Sequence, residues 1–183
     1  HGCNYPELEW VNEDGMTCAD PMTFICQIRL QDIAAYDSEN LLPHTGMLYF
    51  FADIDYFLGN LEADSPGMGQ WDKDRYRVLY APDTEHLDTH RIVCEDGTAV
   101  GLPAQELSFV HCEERADGFK LLGKPYFEET EEEYPHYLSL LQLDCNDDWR
   151  LQFYDCGMLN FLITPEDLAA RKWEQAICHL HSF

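Results

Sequence analysis

Two short apolar stretches recur in the same order at opposite ends of the chain, and this recurrence constrains the fold most. Phe24-Ile25-Cys26-Gln27-Ile28 is matched by Ser139-Leu140-Leu141-Gln142-Leu143. Gly46-Met47-Leu48-Tyr49-Phe50-Phe51 is matched, at nearly the same offset, by Gly157-Met158-Leu159-Asn160-Phe161-Leu162. Two strand–turn–strand units of this kind predict a duplicated, pseudo-symmetric β scaffold. The shared Gly and Gln argue against chance likeness between apolar strands. The expected class is α+β: a β-rich pair of antiparallel sheets with a C-terminal helix packed on the sheet. One domain spans 1–183, with repeat-like halves at approximately 21–57 and 137–168.

Further elements follow from period and punctuation. Strands are predicted at 23–30, 47–51, 75–80, 107–112, 137–143 and 158–163. Residues 149–154 alternate apolar and polar, which predicts a strand closing a hairpin after the polar turn 144–148. A short helical stretch is expected near 31–36, and a loop over 59–70. Thr164-Pro165-Glu166-Asp167 is a helix start: a capping hydroxyl, proline at the first position and acids in the first turn. Ala169, Trp173, Ala176, Ile177 and Leu180 fall on one face at helical spacing, so this helix is expected to continue along the sheet.

Composition narrows the function classes. The 183 residues are 45% hydrophobic and 13% aromatic, enough for a core and unlike a disordered chain. No apolar run approaches the ~18 residues of a membrane helix, and no basic or apolar leader pattern stands at the start. The 8 cysteines include Cys26 inside an apolar strand, where a small apolar residue would serve. Free thiols, and with them a cytoplasmic location, are expected. Lys and Arg number 11 against 35 Asp and Glu, a formal net charge of −24. A field of that sign repels nucleic-acid backbones and speeds encounter with a basic protein.

Three segments resemble the YwqG-like family of bacterial proteins, a domain of unknown function. They are Pro21–Ile28 with 46–51; Leu121-Leu122-Gly123-Lys124-Pro125-Tyr126-Phe127; and Leu140–Asp144, Asp155-Cys156-Gly157, Asn160-Phe161 and Thr164–Leu168. The third departs from the usual Gly-Asp-x-Gly, since Tyr154 precedes Asp155. The resemblance implies a duplicated α+β domain, with no established activity and no catalytic residues to carry over. It also implies a distant similarity to eukaryotic proteins thought to act as dedicated chaperones, which favours protein binding by analogy.

The residues show no catalytic constellation. Asp144, Asn146, Asp148 and Asp155 sit at positions 1, 3, 5 and 12 of a calcium loop, but Trp149 stands where glycine is required. A hairpin accounts for them better. His86, His90 and Cys94, and the Cys178-His179-Leu180-His181 stretch, are loose metal candidates best explained as surface histidines. No nucleophile elbow or phosphate-binding loop occurs. Asp155 beside Cys156 would blunt that thiol, and a turn completed by Gly157 explains the aspartate better. No metal or cofactor is therefore expected.

Two other groups remain. Gln27 and Gln142, with Asp155, would lie between the repeats, lining a cleft or satisfying backbone groups there. Glu128-Glu129-Thr130-Glu131-Glu132-Glu133 is either a solvated loop or a docking site. In the second case Tyr126, Phe127 and Tyr134 are anchors, and Glu128, Glu129, Glu131 and Glu132 steer a basic partner. The expected function is a non-catalytic, chaperone-like or immunity-like protein that binds a basic protein, with no direct nucleic-acid or membrane contact. The alternative is an enzyme or small-ligand binder with a site between the repeats.

Overall fold

The computed structural model describes residues 5–85, 89, 92–93, 97 and 104–183. In chain order the strands are β1 (Glu7–Val11), β2 (Thr17–Pro21), β3 (Thr23–Arg29), β4 (Met47–Ala52), β5 (Gly69–Gln70), β6 (Tyr76–Ala81), β7 (Lys120–Leu121), β8 (Leu138–Leu143), β9 (Met158–Ile163) and β10 (Ile177–His181). Three short helices accompany them: α1 (Leu30–Ile33), α2 (Glu128–Glu133) and α3 (Pro165–Ala169). The strands form three sheets of order β1-β2, β3-β4-β6 and β5-β10-β9-β8-β7, and every pair is antiparallel.

The duplication extends to register. β3 bulges against β4 between Phe24 and Cys26, and β8 bulges against β9 between Ser139 and Leu141, the matching position. Beyond the bulge Gln27 faces Tyr49 as Gln142 faces Asn160. The third strands correspond too, since Met47 opposes Ala81 and Met158 opposes His181. A 3-10 turn precedes each, at Lys73–Arg75 and Trp173–Gln175. The repeat is therefore a three-stranded meander, larger than the two-strand unit seen in sequence. β6 and β10 share no residue pattern, so only pairing reveals their correspondence.

The alternation of each strand decides its layers. Leu48, Phe50 and Ala52 of β4 and Leu159, Phe161 and Ile163 of β9 are fully buried and belong to one continuous core. On the pseudo-twofold the twin residues Phe50 and Phe161 meet edge to face, with centroids 5.3 Å apart. The two halves share a single filled core and not a chamber.

Several expectations are corrected. The helix begins as expected, with Thr164 Oγ1 accepting the Asp167 N–H at 3.1 Å, but α3 ends at Ala169. Arg171 takes a left-handed φ of 57°, and residues 177–181 form β10. The apolar spacing through Leu180 is shared by both periods. On β10 Cys178 and Leu180 join the core while their neighbours face outward, which is period two. Thr164→Ala should cost about 1 kcal/mol of stability by loss of this cap, measured by denaturant unfolding.

Residues 107–112 form no strand; Val110 is 80% exposed. After Asn146 a 3-10 turn (Asp147–Trp149) and left-handed Arg150 leave only one bridge, Asn146 to Leu151. Leu151 and Phe153 are nevertheless buried, as their alternation requires. The 59–70 loop ends in β5, and the acidic run is the helix α2.

Candidate functional site: an acidic trough beside an open sheet edge

The outer face of the β3-β4-β6 sheet carries Phe24, Gln27, Tyr49 and Leu79, set there by strand alternation. It forms one side of an open trough of about 2960 Å³, walled opposite by residues 104–124. Among the described residues the trough is lined by nine carboxylates and two lysines. Both lysines are already engaged. Lys120, buried, donates from Nζ to the carbonyls of Glu114 (3.1 Å), Ala116 (3.1 Å) and Lys124 (2.6 Å). Lys124 pairs with Glu131 at 3.1 Å. Desolvation pulls the Lys120 ammonium below its usual range.

Two lining acids serve the fold. Buried Asp37 accepts the N–H groups of Leu41 (3.0 Å) and Leu42 (2.8 Å), and Asp55 accepts the Thr23 hydroxyl. Glu131 is neutralised by Arg115 and Lys124, and hydrogen bonds from these two hold its carboxyl below the usual range. The exposed remainder, Glu39, Asp83, Glu106, Glu113, Glu114 and Asp117, has no ion-pair partner among the described residues. Such an imbalance gives the trough a negative field.

Helix α2 stands at the rim, with Glu131 turned to the trough. Thr130 is fully buried, and Phe127 is packed against His181 (4.7 Å) and Phe183 (5.2 Å). Tyr134 lies on His179 (5.1 Å) and donates its hydroxyl to Gln70 Oε1 (3.3 Å). Phe127, Tyr134 and Glu131 thus hold α2 in place and are not free anchors. Tyr126, Glu128, Glu129 and Glu132 face solvent.

Beneath α2 a polar row crosses the whole second sheet. Lys120 opposes Gln142, Gln142 opposes Asn160, Asn160 opposes His179, and His179 opposes Gln70. Gln142 Oε1 accepts the Tyr126 N–H at 2.9 Å, and Nε2 donates to the carbonyls of Ala116 (3.2 Å) and Gly118 (2.9 Å). The Ser139 hydroxyl donates to Asn160 Oδ1 at 2.8 Å. A buried amide tying loop to sheet is a structural arrangement. Gln142→Leu removes three hydrogen bonds to the backbone, two of them to groups with no second partner given above (the Tyr126 N–H and the Gly118 carbonyl), and should destabilise by about 1–3 kcal/mol in denaturant unfolding.

His179, at 2% exposure, is held below the usual histidine range. Burial is the main cause, opposed by Glu133 4.0 Å away and assisted by His181. The unfolded chain then binds more protons than the native one between the lowered value and the ordinary ~6.5. Stability should therefore rise with pH through that window and fall on acidification. His179→Gln should flatten this dependence in melting curves recorded across pH.

Gln27, Gln142 and Asp155 do not converge between the repeats. Gln27 is exposed on β3, Gln142 is fully buried under the 116–126 loop, and Asp155 is exposed after β8. Strand equivalence put the two glutamines at matching positions, but on outer faces. Gly157 is tight for another reason, since a Cβ there would stand 2.6 Å from the Phe153 carbonyl.

His86, His90 and Cys94 lie outside the described residues. Cys178 faces the core while His179 and His181 face α2, so they share no ion. Asn146 Oδ1 accepts the Trp149 N–H, a cap and not a calcium ligand set. Among the described residues no three metal-binding side chains gather. The described cysteines, 18, 26, 112, 145, 156 and 178, are free thiols. Burial pushes the Cys26 thiol up to about 12, which removes it as a nucleophile. No helix among the described residues is long and apolar enough to cross a membrane.

Fold and site together define an internally duplicated α+β domain with an acidic trough. The chain belongs to the family described as Domain of unknown function (DUF1963), which matches residues 2–116 and again 95–181. Two successive matches agree with the duplication. A comparison with curated proteins found no match.

Proposed function

We propose that this protein is a non-catalytic binding protein, of chaperone-like or immunity-like type, whose acidic trough engages a basic protein. The YwqG-like assignment within the family belongs to the same proposal. One observation carries it: among the described residues nine carboxylates line the trough, six of them exposed and outside any ion pair, against two lysines spent on internal bonds. The net charge of −24 extends the same field over the molecule and speeds association. In this reading Tyr126 and the exposed acids of α2, neighbours of trough-lining Glu131, add to the docking surface.

Electrostatic engagement of this kind weakens as salt screens it. The affinity of any partner captured from the native host should fall steeply between low and high ionic strength. Affinity indifferent to salt for every captured partner would contradict the proposal. Changing Glu128, Glu129 and Glu132 to glutamine should slow association several-fold without altering stability.

A further inference from the structure

We infer that the outer edge of β3 is a docking strand, onto which an extended basic segment of the partner adds as an antiparallel strand. This inference rests on the trough being the site for a basic protein. Its evidence is an asymmetry between otherwise matching halves. In the second half, β7 lies along the outer edge of β8, with Lys120 opposite Gln142 and Leu121 opposite Leu141. β5 covers the outer edge of β10, and the Trp173–Gln175 turn packs beside β6. Among the described residues β3 pairs only with β4, as β6 does, but β3 lacks the packing that the Trp173–Gln175 turn gives β6.

The occupied twin edge fixes the geometry. The Leu122 N–H donates to the Leu140 carbonyl, and groups alternate along an antiparallel ladder, so the N–H and C=O of Gln142 face β7. Gln27 is the twin of Gln142 by sequence, bulge and register. Its backbone donor and acceptor therefore face the trough. Among the described residues the chain's own arm meets the approach to this strand, where the Met22 N–H donates to the Pro6 carbonyl.

An unpaired row of backbone donors and acceptors is a template for strand addition. Phe24, 42% exposed, and half-buried Tyr49 offer apolar contact to alternate side chains of the added strand. Glu39, Glu106, Glu113 and Glu114 meet its charges. An acidic occupant would be repelled by the same groups.

The test uses a synthetic peptide of alternating valine and lysine, as long as β3, and a second of the same sequence N-methylated at every residue. The second keeps the charge and loses the donors. Binding is measured by fluorescence anisotropy at low salt, and hydrogen exchange at the Gln27 amide is followed with and without peptide. We expect the first peptide to bind at least roughly tenfold more tightly and to slow exchange at Gln27. Equal binding of both would overturn strand addition while leaving the electrostatic reading standing. Binding of neither would overturn both. A Gln27 amide already protected in the free protein would overturn the inference, because the edge would then be filled by the chain itself.

Discussion

Phe161→Ala should lower unfolding free energy by about 3–5 kcal/mol, the range for an aromatic removed from a core that cannot collapse. Phe161 is fully buried and touches Phe50 at 5.3 Å and Tyr76 at 6.2 Å. Both of those residues come from the first half, so the truncation opens the contact between halves and not one half's interior. Phe50→Ala should cost a similar amount. Because the two rings meet edge to face, the double variant should fall short of the sum, with coupling of about 0.5–1.5 kcal/mol. Denaturant unfolding of the four proteins measures this. Additive losses would mean that the halves are energetically independent, contrary to a shared core.

Gly46→Ala should be the next most damaging, at about 2–4 kcal/mol, combining strain at positive φ with overpacking. Its φ is +84°, and a Cβ would stand 2.5 Å from the Ala81 carbonyl and 3.1 Å from Pro82 Cα. The twin Gly157 meets the twin obstacles, the His181 carbonyl at 2.8 Å and Ser182 Cβ at 3.0 Å. Its φ is not positive, so Gly157→Ala should cost less, about 1–3 kcal/mol from overpacking alone. Gly15→Ala is the control: φ is +77° with open space around it, so only the backbone term of about 1 kcal/mol applies. Chemical unfolding should rank the three Gly46, Gly157, Gly15. Each repeat thus begins its central strand where the chain passes under the end of the third.

The shared glycine and glutamine made the duplication legible, and for physical reasons. Gly46 and Gly157 are fixed by close approach, and the two glutamines are the second paired residues past matching bulges. Strands β3, β4, β6, β8 and β9 were readable because one face of each enters the core. β5 and β7 were not, since two residues carry no period. β10 reads as helix in the sequence because Ala176, Ile177 and Leu180 satisfy both periods, and only its place between β9 and β5 decides. The polar row was legible in part: Gln142 stood out, while Asn160 and His179 needed the register of strands distant in sequence. In α2 the inward spacing of Phe127, Thr130 and Tyr134 is present but masked by the five glutamates between them. The trough itself could not be read, because the pairing of β3 with β4 and the course of 104–124 assemble it from segments more than fifty residues apart.

The central claim is that the trough's uncompensated carboxylates hold a basic protein. The most direct measurement compares wild type with a Glu106→Lys, Glu113→Lys, Glu114→Lys variant in capture from the native host's lysate at low and high salt, with a melting curve to confirm that the variant is folded. All three positions are exposed, so the fold should survive. The predicted result is one dominant basic protein, held by wild type at low salt, released at high salt and absent from the variant. Capture that is unchanged by both salt and charge reversal would contradict the claim.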